Sequence, residues 1–138
     1  MNTRSKASLF MLELIVVIAV FSVSSAICLR IFFRSHEMTI ESRNLSHASI
    51  EVQSAADCYK SAKGRIKTAA NLLGGKIDQS GVMCIYYDDL WKRVDMSENA
   101  SFRLSITEFE PGYGKVKAEK TDGTPIFSIN VRGDFSIE

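Results

Sequence analysis

Leu9-Phe10-Met11-Leu12-Glu13-Leu14-Ile15-Val16-Val17-Ile18-Ala19-Val20-Phe21-Ser22-Val23-Ser24-Ser25-Ala26-Ile27-Cys28-Leu29 is a run of 21 residues whose only charge is Glu13. At about 1.5 Å per residue, such a run coiled as a helix covers roughly the 30 Å of bilayer hydrocarbon. It reads as a membrane segment. Arg4 and Lys6 precede it and favour an N-terminus left in the cytoplasm, while Arg30 and Arg34 on the far side reduce that bias. An unpaired carboxylate in hydrocarbon costs on the order of 3 kcal/mol, so Glu13 calls for a partner or a purpose. The run has two ordinary fates. It can anchor the chain, or it can be cut after Ala26, because Ser24-Ser25-Ala26 supplies the small residues a secretory signal peptidase requires after an apolar core. Cys28 follows Ile27 rather than a small residue, so lipid attachment at that cysteine is not expected.

Outward from the stem the chain reads as an ordinary soluble domain. Its 138 residues hold 17 Lys+Arg against 16 Asp+Glu, a formal net charge of +1, with 46% apolar residues. That leaves room for one compact domain and an appendage, not for a two-domain enzyme. The near-neutral balance argues against nucleic-acid binding through a broad basic field, and the apolar content argues against disorder.

No proline interrupts Leu9 to Lys63. Leu45, Ala48, Val52, Ala55, Tyr59 and Ala62 recur in steps of three and four, the seam of an amphipathic helix, with Glu41, Arg43, Glu51 and Lys60 around it. One helix over residues 9–63 would be about 80 Å long, ended with the help of Gly64. Its seam is expected to lie on a sheet of the same chain. Residues 64–81 read as a connection with a short helix around Ile66 to Leu73, punctuated by Gly64, Gly74-Gly75 and Gly81. The period then changes to two. Strands are expected over Val82–Tyr87, Leu90–Val94, Ser101–Glu110 with a bend at Phe109, Tyr113–Lys120, and Ile126–Val131 after the turn Thr121-Asp122-Gly123-Thr124-Pro125. The pattern gives α+β, a long helix followed by an antiparallel meander of four or five strands.

Lys6-Ala7-Ser8-Leu9-Phe10-Met11-Leu12-Glu13-Leu14-Ile15-Val16-Val17-Ile18-Ala19-Val20 resembles the leader and stem of a type IV prepilin: a short basic leader, a small residue, a cut, then an apolar helix with Glu fifth. Placing Glu13 fifth sets the cut between Ser8 and Leu9. Ser8 stands where the family usually has Gly, and Leu9 where it usually has Phe, which suits a minor pilin or pseudopilin. The resemblance implies a pilin-like fold, with a leader over residues 1–8, a membrane and assembly stem over 9–33, an amphipathic helix over 34–63 and an exported β-sheet region over 64–138. It further implies cleavage after Ser8 and N-methylation of Leu9 by the prepilin peptidase/methyltransferase. Other implied partners are the lipid bilayer before assembly, an inner-membrane assembly platform and other pilin or pseudopilin subunits. The localisation implied is a single-pass bacterial cytoplasmic-membrane protein, N-terminus inside, that passes into a surface or periplasm-spanning filament. Glu13 would pair with the new amino group of a neighbouring subunit and set the register of assembly. The competing class is a membrane-anchored or secreted binding domain with an ordinary signal, in which Glu13 has no such role.

Cys58 near the helix end and Cys84 in the first strand lie in the segment that would be exported, where disulfides persist; they are either a bridge or two reduced thiols. Cys28 serves as a small hydrophobe. Signs of an enzyme are missing. His36 and His47 are eleven residues apart, about 16 Å along a helix, too far to share a metal. No phosphate loop, zinc spacing or nucleophile elbow occurs, and no cofactor or metal is expected. Asp88, Asp89, Asp95 and Glu98 lack the spacing of a calcium loop and read as solvated turns. Lys115, Lys117 and Lys120 read as the solvent face of one strand, so nucleic acid is not indicated. Arg132-Gly133-Asp134 reads as the turn that ends the last strand.

Overall fold

The computed structural model describes residues 3–95 and 97–133. Asp134 and the end of the last turn lie outside the described residues, as do the first two leader residues. The chain divides between Glu41 and Ser42 into two compact units. The architecture is α+β: helix α1 (Thr3–Ser61), helix α2 (Ile66–Leu73), then strands β1 (Lys76–Ile77), β2 (Met83–Tyr87), β3 (Arg93–Val94), β4 (Phe102–Glu110), β5 (Tyr113–Lys120) and β6 (Pro125–Arg132).

Helix α1 starts at Thr3, six residues before the expected Leu9, because Arg4, Lys6 and Ala7 are good helix formers with no proline or glycine among them. It stops at Ser61. Lys63 and Gly64 take left-handed φ values of 53° and 71°, and the Gly64 N–H donates to the Tyr59 carbonyl at 3.0 Å, closing the last turn. The tightness of this corner explains the glycine. A Cβ on Gly64 would sit 2.8 Å from Gly112 Cα, and one on Gly133 would collide with Gly64 N. Three backbone segments thus meet at three glycines, joined by the Gly133 N–H donating to the Gly112 carbonyl at 2.7 Å.

Every large apolar residue from Leu9 to Phe33 is exposed. In the second unit Ala48, Val52, Ala55, Ala56 and Tyr59 are buried against the sheet. The seam differs from the expected one at its upper end. Leu45 is 46% exposed, and Asn44, one step round the helix, faces the sheet side in its place.

The sheet has six strands in the order β1-β2-β4-β5-β6, with β3 pairing β2. All pairings are antiparallel. β1 is the strand that the sequence pattern missed: two exposed residues are too short to show a period. Cross-strand rows build the inner face, Met83–Ile106–Val116–Ile129 and Ile85–Leu104–Ala118–Phe127. The register shifts at Glu108/Glu110, so the bend expected at Phe109 is a β-bulge that leaves that ring exposed.

Candidate functional site

The stem carries the residues singled out for processing and assembly. Ser8 and Leu9 lie in the second turn of α1, both exposed, and Glu13 is exposed one turn further on. Leu9 and Glu13 are four residues apart, so they lie on one face of the helix, about 6 Å apart along its axis. The serines of the run do not leave free hydroxyls. Ser22, Ser24 and Ser25 donate to the carbonyls of Ile18, Val20 and Phe21 at 2.8, 2.8 and 2.9 Å, which makes them compatible with hydrocarbon. The most apolar 18-residue window of α1 has a mean hydropathy of 2.5 and none of it is buried. Among the described residues, α1 is the one helix long and apolar enough to cross a membrane.

In the second unit the aromatic residues clamp a turn onto α1. Asp88 Oδ1 accepts from the Leu90 and Lys92 N–H groups at 2.9 and 2.8 Å, forming a tight turn in which Trp91 takes a φ of 60°. A bulky residue in the left-handed region needs support from elsewhere. Trp91 stacks on Phe102 at 4.4 Å and on His47 at 6.0 Å, and its Nε1–H donates to Asn44 Oδ1 at 3.3 Å. Beside it the Tyr87 hydroxyl donates to Glu51 Oε2 at 2.8 Å. Burial and that bond to Glu51 push the Tyr87 phenol up from its ordinary value. These contacts explain why Asn44 replaces Leu45 on the sheet side: a polar residue is required where an indole N–H arrives.

The outer face of the sheet is polar and paired. Its rows are Cys84–Ser105–Lys117–Ser128, and Tyr86–Arg103–Glu119. Glu119 is only 3% exposed and accepts bonds from both Arg103 and Lys117. Burial alone would raise its carboxyl, but the bonds from Lys117 and Arg103 outweigh it and hold the group below the usual carboxylate value. Lys115 and Lys117 share this face with Glu119. Lys120 has the opposite parity, that of Val116 and Ala118, so the three lysines are not one face as the sequence suggested.

Of the two alternatives left open for Cys58 and Cys84, a bridge or two reduced thiols, the structure has the thiols: both are free, as is Cys28. Strand parity gives the reason. Met83, Ile85 and Tyr87 bury their side chains toward α1, which carries Cys58, so Cys84 between them belongs to the outer face. Burial pushes the Cys84 thiol up, against the opposing pull of Arg103, which keeps it protonated at neutral pH.

Asp88 serves its turn, and among the described residues no three His, Cys, Asp or Glu side chains converge on a point that would hold a metal ion. An open hollow of about 520 Å³ beside the α1–α2 corner is lined by Lys63, Arg65, Ile66, Lys67, Glu108 and Pro111. No protein-family model, no curated protein and no solved structure matches this chain.

Proposed function

We propose that this chain is a non-catalytic structural subunit of the type IV pilin superfamily, a minor pilin or pseudopilin of a pilus, secretion or DNA-uptake filament. One observation carries the reading. Glu13 is the only charge in a run of 21 residues, it is exposed, and it lies one turn from the amino group that cleavage between Ser8 and Leu9 would create. A carboxylate so placed is costly in hydrocarbon until an amine neutralises it. The α+β architecture, with the later part of the same helix seated on an antiparallel sheet, supports the reading.

In this function the chain inserts as a single-pass membrane protein and is cut after Ser8 and N-methylated on Leu9. Neighbouring stems then cover the apolar residues that this chain leaves bare. The Glu13 carboxylate of one copy pairs with the Leu9 amine of the next, so that register follows from charge and packing from apolar area. The test is the intact mass and N-terminal sequence of the full chain expressed with and without an active prepilin peptidase. A product beginning with N-methylated Leu9 is expected. A product beginning at Ile27, or one that still carries the leader in the presence of the peptidase, overturns the proposal and makes the stem an ordinary signal or anchor.

A further inference from the structure

Strand β6 forms one edge of the sheet, and among the described residues no strand pairs with its open side. At the other end of the strand order lies β1, only two residues long. Sheet edges are ordinarily guarded by brevity, proline, lysine or a bulge. On β6 those devices stop early: Pro125 opens the strand, and the register shift lies beside its first residues, between Ala118 and Glu119. Beyond them Phe127-Ser128-Ile129-Asn130-Val131 runs in regular register with no charge and no proline.

The ladder decides which backbone groups face outward. Gly133 N–H donates to the Gly112 carbonyl, and these two residues continue the register of Tyr113 with Arg132. Directly opposed residues in an antiparallel ladder alternate between pairs that exchange hydrogen bonds and pairs that do not. Val131, Ile129 and Phe127 therefore direct their backbone groups at β5. Arg132, Asn130 and Ser128 direct theirs to the open side. The side chains add a second pattern. Phe127, Ile129 and Val131 share the inner face with Ala118, Val116 and Gly114, yet Phe127 and Ile129 are only half-buried. On the outer face Arg132 and Asn130 stand opposite Tyr113 and Lys115. Lys115 and Arg132 are exposed, and neither makes an ion pair among the described residues. Glu119, farther along this face, is already engaged by Arg103 and Lys117.

We infer that β6 is a docking edge for an extended segment of another protein, which adds to the sheet as a strand in which apolar and acidic residues alternate. Backbone bonds to Ser128, Asn130 and Arg132 supply affinity, and the alternating side chains supply selectivity. Inward apolar residues cover Phe127 and Ile129. An outward acid opposite Arg132 pairs with it directly, and one opposite Asn130 comes within reach of the long Lys115 side chain. A second copy of this chain is the poorer occupant, because its own β6 brings Arg132 and no acid. Edge pairing requires the second unit alone, so it stands or falls separately from the proposed function.

The probe is a fluorescently labelled peptide, Glu-Val-Glu-Val-Thr-Val-Thr, which in antiparallel register sets its first residue against Arg132 and its sixth against Phe127. Its anisotropy is followed as the full chain in detergent is added. Saturable binding is expected, roughly tenfold weaker when lysine replaces both glutamates and lost for the scrambled peptide Glu-Glu-Val-Val-Val-Thr-Thr. Asn130→Pro removes an N–H from the open side and no bond from the β5 ladder, so it is expected to abolish binding while the protein stays folded. Amide exchange on the unsubstituted chain reads the same contact without any variant: the Ser128, Asn130 and Arg132 amides are expected to slow when peptide is added, while those of Phe127, Ile129 and Val131 are protected before it. No saturable binding, equal binding of the scrambled peptide, or unchanged exchange at 128, 130 and 132 overturns the inference. Binding only to a chain ended at Gly133 assigns the edge to residues 134–138 of the same chain, and self-association that Asn130→Pro removes assigns it to a second copy; either result also overturns it.

Discussion

Replacing Gly114 by alanine tests how closely the sheet approaches α1. Gly114 has no left-handed φ to protect, and in open space such a change stabilises a strand by roughly 0.4–1 kcal/mol through the unfolded chain. Here the sign is expected to reverse. A Cβ at that position would lie 3.0 Å from Tyr59 Cζ, 3.2 Å from Cε1 and 3.3 Å from the phenol oxygen. Tyr59 is fully buried on the helix seam, so its ring cannot swing away into solvent. Overpacking of this kind costs about 1–3 kcal/mol, which in a domain of this size lowers the melting temperature by roughly 5–20 °C. The measurement is thermal unfolding of the full chain in detergent, followed by near-ultraviolet circular dichroism. A double-mutant cycle with Tyr59→Leu isolates the contact, because alanine at 114 should cost little once the ring is gone. An unchanged melting temperature for G114A, or an equal loss in the Tyr59→Leu background, would refute the packing described.

Glu119→Gln is expected to cost about 1–2 kcal/mol at pH 7, below the value for a fully enclosed pair because Arg103 and Lys117 are themselves 42% and 35% exposed. The folded carboxyl titrates below its unfolded value, so its contribution is present above the ordinary carboxylate range and disappears as pH falls through the depressed folded value; chemical denaturation of both proteins at pH 7 and pH 3 should show the gap closing. Asp88→Ala removes the acceptor for two backbone N–H groups, and the emission of Trp91, the chain's one tryptophan, should shift to the red as the indole leaves Phe102 and His47; unchanged emission would count against the clamp. Thiol titration of the detergent-solubilised chain under mild oxidation should return Cys58 and Cys84 unlinked, and a Cys58–Cys84 peptide in a non-reducing digest would contradict the strand parity.

The features legible in the sequence are those that depend on neighbours along the chain. Composition alone marks Leu9 to Leu29 as a run long and apolar enough to cross a membrane, the three-and-four spacing from Ala48 to Tyr59 marks a buried helical seam, and glycine with proline marks the turns. These follow from local periodicity and backbone sterics, which is why α2, β2, β4, β5 and the bulge at Phe109 were found close to where the pattern places them. Tertiary structure decided what local pattern leaves open. Met83-Cys84-Ile85-Tyr86-Tyr87 is apolar at every position, so only the register with β4 determines that Cys84 faces outward and away from Cys58. Asn44 rather than Leu45 completes the seam because Trp91, 47 residues away, brings a donor to that spot. Glu119 is buried because strand pairing sets Arg103 opposite it, with Lys117 two residues along the same strand reaching the same carboxylate. In each case the deciding partner is distant in sequence, and its position depends on sheet register, which one strand's own residues do not specify.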